Sequence, residues 1–513
     1  MRLADIETRA PALPPGENAY PFVAEAVTRM RWPDHDSRLA ALICPPPMLG
    51  PGALEPPSAA NLARMCALAD ENRAAVEMVD RAIAMPAFVA PPMPGDVPET
   101  ERLVSVACRA NDLSLICCLD ARCLSLRGRL AEAGRAIDRL FRFGSILLQG
   151  WQDFGSPPFG MLAKQYACLA ALESAADPRA NGALTHALLH LAAGNRVPFD
   201  VFVRACVAPF LRAVAGFFGH LGDRTSALVL LRRLLRDIAF RHAITSFTGA
   251  VEFAEEDLAA RERGDPPPRR ALYPTAARGD EEPMQPELML SRARMISRGC
   301  ELPFDKEATM AAVEDALSAV HERRDEGPVA LREYLESAGG TWPGGYRLAA
   351  LLRAAAGGAS DIAATPAGLM DPTGTETSLP GAGLARNVVG TALAADILCA
   401  YQLQLSFACD SWQLSAMLYD VYLAALAVVV YTRSHGVPPP SLEALGAAGY
   451  LADVPRDAYL GRVVNYDRER LRLFLDAEVS AAACCGEPPT AGWEASWYVH
   501  LSGREGRANG GGG

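Results

Sequence analysis

Apolar positions recur at steps of three and four along most of this chain, the spacing that one face of an α-helix produces. Leu103, Val106, Ala110, Leu113, Cys117, Ala121 and Leu124 form one such face. A longer stripe runs through Leu405, Cys409, Trp412, Ala416, Tyr419, Leu423, Leu426 and Val430. Leu384, Val388, Thr391, Ala395 and Leu398 extend the same phase backward, with Gln402 interrupting it. The preserved phase predicts one continuous helix, although Asp410-Ser411 offers a cap that would split it into a hairpin. The flanks of the stripe carry few charges, so it reads as an intramolecular core seam rather than a coiled-coil dimer.

The breaks between helices follow Gly and Pro. They are expected at Pro91–Pro98, Gly150–Pro158, Asp177–Gly182, Gly194–Pro198 and Gly219–Asp223. No fixed repeat length emerges, which favours an irregular antiparallel array over a named solenoid. The expected divisions are an extended N-terminal segment over 1–16, a helical array over 17–263 and a linker over 264–286. A helical segment over 287–356 and a Gly/Pro-rich loop over 357–383 follow. A long helix with a small sheet then fills 384–508, and a disordered tail closes the chain over 509–513. The predicted fold class is mainly α, with a small α+β domain in which the long helix packs on a short antiparallel sheet.

That last domain rests on a change of pattern after Gly436. Glycine suits the left-handed residue that closes a helix, and Pro438–Pro440 cannot continue one. Ser441 can cap a short helix ending near Gly449. Alternation then places Leu471, Leu473 and Leu475 on one side of a strand; Val463–Tyr466 and Trp497–Leu501 supply two more.

Composition narrows the functional classes. Half of the 513 residues are hydrophobic and 21% are charged, as in globular domains. The formal net charge of −11 argues against a nucleic-acid partner, because phosphate contacts require clustered positive charge. Arg232, Arg233 and Arg236 read as a solvated helix face. The longest apolar run, Val421–Tyr431, is too short for a membrane span, and the N-terminus lacks the apolar core of a signal peptide, so a soluble chain is expected. The thirteen cysteines include no Cys-x-x-Cys, so neither a zinc knuckle nor a thioredoxin-type motif is present. Their apolar settings suggest buried free thiols in a reducing, cytoplasmic compartment.

Candidate chemistry is sparse. His186 and His190 stand four apart on a helix and could face one metal ion, but the glutamate of a zincin motif is missing. Glu252, Glu255, Glu256 and Asp257 cluster without the Glu-x-x-His pairs of a di-iron bundle. No nucleophile elbow or phosphate loop occurs. No catalytic, cofactor-binding or metal-binding residue is therefore assigned, and no cofactor is expected.

The stretch from Tyr431 to Leu445, with Gly436, Pro440 and Ser441-Leu-x-x-Leu445, is followed by Tyr450-Leu-x-x-Val-Pro-x-Asp457, Gly461 and Tyr466. This order resembles the C-terminal region of pseudopilin-like domains of type II secretion. It also resembles a group of uncharacterised bacterial proteins, common in planctomycetes, that carry such a domain after a helical array. Glu17-Asn-Ala and the Leu119–Ala131 helix are weaker echoes of that group. The resemblance covers about residues 417–511 and implies fold rather than activity. The transmembrane helix and prepilin leader of the pseudopilins are not seen, and Asp457-Ala-Tyr459 replaces the usual Asp-Pro-Phe, so a processed pilin subunit is not expected. Some pseudopilin-like relatives bind calcium in a terminal loop. Here the loop from Leu501 to Gly511 offers one carboxylate, Glu505, between Arg504 and Arg507, which is poor calcium chemistry.

The expected function is a non-enzymatic scaffold with a protein partner. The alternatives are an enzyme built from dispersed residues, with His186, His190 and Glu252 as first suspects, or a peripheral protein of the cell envelope.

Overall fold

A computed structural model describes residues 16–31, 59–89, 99–149, 156–220, 305–334 apart from 325, 329 and 332, 388–456, 463–469, 472–474 and 498–500, with Arg2, Leu3, Ile6 and Leu13. The described part is mostly helical, and the mainly α class holds. The helices are α1 (Tyr20–Arg29), α2 (Ala59–Glu71), α3 (Arg73–Ala82), α4 (Glu99–Leu126), α5 (Leu130–Leu148), α6 (Ser156–Ala176), α7 (Gly182–Gly194), α8 (Phe199–His220), α9 (Lys306–Arg324), α10 (Val388–His435) and α11 (Leu442–Ala447). The strands are β1 (Asn465–Asp467), β2 (Arg472–Phe474) and β3 (Tyr498–His500), paired antiparallel in that order with Tyr466 opposite Leu473 and Leu473 opposite Val499.

The chain divides into two compact units. One comprises Met1–Arg9 with Val207–Phe407, and the other Ala10–Cys206 with Ala408–Gly513. In the first, the rings of Phe210 and Tyr401 meet at a tilt with centroids 5.4 Å apart, and Val313, Leu317 and Val320 are buried along α9. Leu3, in the N-terminal segment, is 2% exposed, and its N–H donates to Glu314 Oε1 at 2.6 Å.

In the second unit, α4, α5 and α6 pack on one another, with α1, α2 and α3 beside α4 and α7 beside α6. Two asparagines fasten the edges. Asn18 accepts from the Tyr20 and Val89 N–H groups and donates to the Val89 carbonyl. Helix α1 therefore starts at Tyr20, with Glu17–Ala19 serving as the clamp before it. Asn72, fully buried between α2 and α3, accepts from Arg31 N–H and donates to the Arg31 and Leu68 carbonyls. The Leu119–Ala131 helix expected from the sequence is broken at Gly128, whose φ of +78° ends α4. Conversely, Pro157 and Pro158 fall inside the first turn of α6 rather than in a loop. The first helical turn does not use its N–H groups, so proline is tolerated there.

Helix α10 is continuous through Asp410-Ser411. Every residue from Ser415 to Val430 is buried, which goes beyond the single stripe expected from its periodicity. The segment Ser411–His435 is long and apolar enough to cross a membrane by length and composition, contrary to the sequence reading, which found no run of that kind. Yet 88% of its most apolar window is buried inside the protein, as a core helix requires. Gly436 closes it at φ +73°, Ser441 Oγ caps α11 by accepting from Ala444 N–H, and Gly449 at φ +77° ends α11. Val464 and Leu473 join the same apolar cluster as α10 and α11. Residues 221–304 and 335–387, with the linkers and helices expected there, lie outside the described residues, as do Trp493, Trp497 and the 509–513 tail.

Helix backbones approach closely at Gly160 of α6, where an added Cβ would lie 2.7 Å from the Gly144 carbonyl oxygen and 3.0 Å from the Leu148 nitrogen. Backbone cannot yield as a side chain does, so Gly160→Ala is expected to destabilise the chain by about 1–3 kcal/mol in urea denaturation. Gly182→Ala, with nothing within 4 Å, should leave the midpoint close to wild type.

Candidate functional site

The strongest concentration of perturbed groups surrounds the C-terminal end of α7. A helix end leaves carbonyls without intrahelical donors, and it carries partial negative charge. Here three side chains supply donors. Tyr419 Oη of α10 donates to the Ala192 carbonyl at 2.6 Å. Lys164 Nζ of α6 reaches the Asn195 carbonyl at 3.2 Å and its side-chain oxygen at 3.0 Å. Trp412 Nε1 donates to the Val197 carbonyl at 3.2 Å, with its ring edge-on to Phe199. Arg196 completes the junction by clasping both carboxylate oxygens of Asp420 at 2.8 and 2.7 Å. Gln165 Nε2 adds a bond to the Ser415 carbonyl at 2.7 Å.

Burial shapes the acid–base character of this junction. Desolvation pulls the Lys164 amine down to about 8. It raises the Cys168 thiol, to which the nearby Asp420 charge adds, and it holds the Tyr419 hydroxyl well above its usual range. Burial also raises the Asp420 carboxyl, with the Arg196 bond pulling the other way. Perturbed values of this kind often mark active sites, but ion-pair and capping networks produce them too. The geometry here is of the second kind. The donors named above all end on a backbone carbonyl, an amide oxygen or a paired carboxylate, and Lys164 is only 5% exposed.

A second cluster lies at the end of α10. Tyr431 stacks on His435 with centroids 4.0 Å apart, and Tyr450 meets Tyr431 at 5.5 Å, His435 at 6.0 Å and His186 at 5.7 Å. His186 Nε2 lies 3.2 Å from Ser434 Oγ. This contact resembles a nucleophile–base pair only in its residue types. Ser434 gives its single proton to the Val430 carbonyl at 2.9 Å, so its oxygen accepts and His186 Nε2 is the donor. A base would need the opposite polarity.

His186 and His190 share helix α7 but stand in different surroundings. His186 turns to Ser434 and Tyr450, His190 is exposed, and no group of three or more metal-ligating side chains occurs among the described residues. Glu252, Glu255, Glu256, Asp257 and the Glu505 loop lie outside the described residues. The sequence reading passed over Lys164, one of two lysines in a chain of 49 basic residues, which stands in an apolar stretch of α6. That rarity was a usable signal. No family model, curated protein or solved structure matches the chain.

Lys164 gives this junction a pH signature. Its folded value of about 8 lies below the ordinary 10.5, so the unfolded chain binds the proton more tightly between those values. The contribution is full above pH 10.5 and is lost as pH falls through about 8. The wild type should gain about 3 kcal/mol over Lys164→Met between pH 8 and 10.5, at 1.36 kcal/mol per unit. Paired denaturation curves of the two chains across that range check it.

Proposed function

We propose that this chain is a non-enzymatic interaction protein in which a helical array supports a pseudopilin-like end formed by the later part of α10, α11 and the strands. The observation that carries the reading is the contrast between the two clusters. The buried one spends its polar groups on joining helices. The other brings Tyr431, Tyr450, His186 and the exposed His435 together beside Gly436 and Val437, which are also exposed, Val437 at 54%. Aromatic groups with a polar tip are favoured at protein interfaces, where they bury large area at small entropic cost. The free buried cysteines support a reducing, cytoplasmic setting. The negative overall charge supports a protein partner over nucleic acid.

Lys164 is what favours an enzyme, since a lysine neutral near pH 8 is a competent nucleophile. Its burial and its bonds to Asn195 favour the capping role instead.

Removing the chain after residue 384 would not isolate the end as a binding module, because it would also strip the core helix from the second unit. The test is therefore His435→Ala with Val437→Glu in the intact chain. Partner co-purification should fall about tenfold or more, the equivalent of 1.4 kcal/mol, with helicity by circular dichroism unchanged. Equal capture by both chains, or none by the wild type, would contradict the reading.

A further inference from the structure

Arginine closes helix ends in this molecule. Arg179 donates to the Ser125 and Leu126 carbonyls at the end of α4, and Arg433 donates to the Asp177 and Ala180 carbonyls after α6. A guanidinium suits the task because its five N–H groups meet several oxygens at once. The end of α10 is exposed from Ser434 to Val437. Gly436 N–H donates to the Thr432 carbonyl at 2.8 Å, but Pro438 and Pro439 have no N–H to give the Ser434 and His435 carbonyls in turn. These two oxygens therefore place the partial negative charge of a helix C-terminus at an exposed surface.

Aromatic faces flank the same helix end. Tyr431 and His435 lie nearly parallel, 14° apart with centroids at 4.0 Å, and Tyr450 stands at 68° and 69° to them. His435 is exposed, so the face of its ring opposite Tyr431 is the open one. Its Nδ1 lies 3.0 Å from the Tyr431 carbonyl, which can only accept, so the neutral ring donates there and keeps Nε2 as an acceptor. Ring faces, carbonyls and a ring nitrogen all favour a cation. They favour a planar cation with several donors over a point charge.

Resting on the reading of this surface as a partner site, we infer that it takes an arginine side chain of a partner protein. The guanidinium stacks on the open face of His435, beside Tyr450, and donates to the carbonyls at the end of α10. It repeats there, between two chains, the cap that Arg179 and Arg433 make within one. The net charge of −11 works in the same direction, drawing a basic segment toward the protein.

The experiment titrates the intact chain into three labelled decapeptides and reads fluorescence anisotropy. One peptide alternates glycine with arginine, one glycine with lysine, and one glycine with citrulline. The lysine peptide measures attraction by net charge alone, and citrulline keeps the shape of arginine without its charge. The arginine peptide should bind about three to five times more tightly than the lysine peptide, the size of a cation–π contact at an exposed site, and the citrulline peptide more weakly than either. His435→Leu should remove the preference for arginine, and His435→Phe, which keeps a ring face, should restore most of it, with circular dichroism unchanged in both. Equal affinity for the arginine and lysine peptides, or a preference that survives His435→Leu, would overturn the inference. Partner capture by His435→Ala with Val437→Glu separates the two readings. If capture falls while the wild type shows no preference for arginine, the surface binds its partner by other groups and only this inference fails. If capture is unchanged, the interaction reading fails and this inference with it.

Discussion

The second unit depends on the burial of α10 from Ser415 to Val430. A helix with no polar face cannot lie on a surface, so other elements must enclose it. Met417, Ala424, Leu426, Ala427 and Val430 are close to fully buried, in one apolar cluster with residues of α1 to α7, α11 and the strands. Apolar contact alone would let such a helix slide or rotate, since the hydrophobic effect has no direction. Directional bonds remove that freedom. Gln165, Tyr419, Arg196 with Asp420, and Trp412 fix its N-terminal side. Arg433 fixes the other end by donating to the Ala180 and Asp177 carbonyls at 2.6 and 2.5 Å.

The turn after α6 carries several of these tasks at once. Asp177 has a fully buried carboxylate held by Arg179, and its carbonyl accepts from Arg433. Arg179 also donates to the Ser125 and Leu126 carbonyls at the end of α4, close against Gly128. Three helix ends thus meet at one turn, where Arg179 and Arg433 satisfy carbonyls at the end of α4 and after α6. Capping of this kind gives the buried polar side chains of this region their partners.

Much of this could be read from the chain, and the failures have physical causes. The continuity of α10 was legible because the three-and-four step keeps its phase through Asp410-Ser411. Its burial on all sides was not, because Gln413, Ser415 and Asp420 look like a solvated face, and the bonds to the Ser415 carbonyl and the Asp420 carboxylate come from distant residues. Gln165 and Arg196 lie more than two hundred residues earlier in the chain, and no local pattern announces such a bond. The end of α4 at Gly128 was missed because one glycine inside an apolar pattern reads equally well as tolerated or terminating. The candidate histidines were found, but the surroundings of His186 are set by Ser434 and Tyr450, again from remote segments.

Amide hydrogen exchange of the intact chain in buffer without lipid or detergent tests the central claim most directly. If Ser415–Val430 is the enclosed core on which the second unit is built, its amides should exchange slowest of all and only through global opening. Exchange in that segment as fast as in α1, with protection appearing only when lipid vesicles are added, would contradict the account.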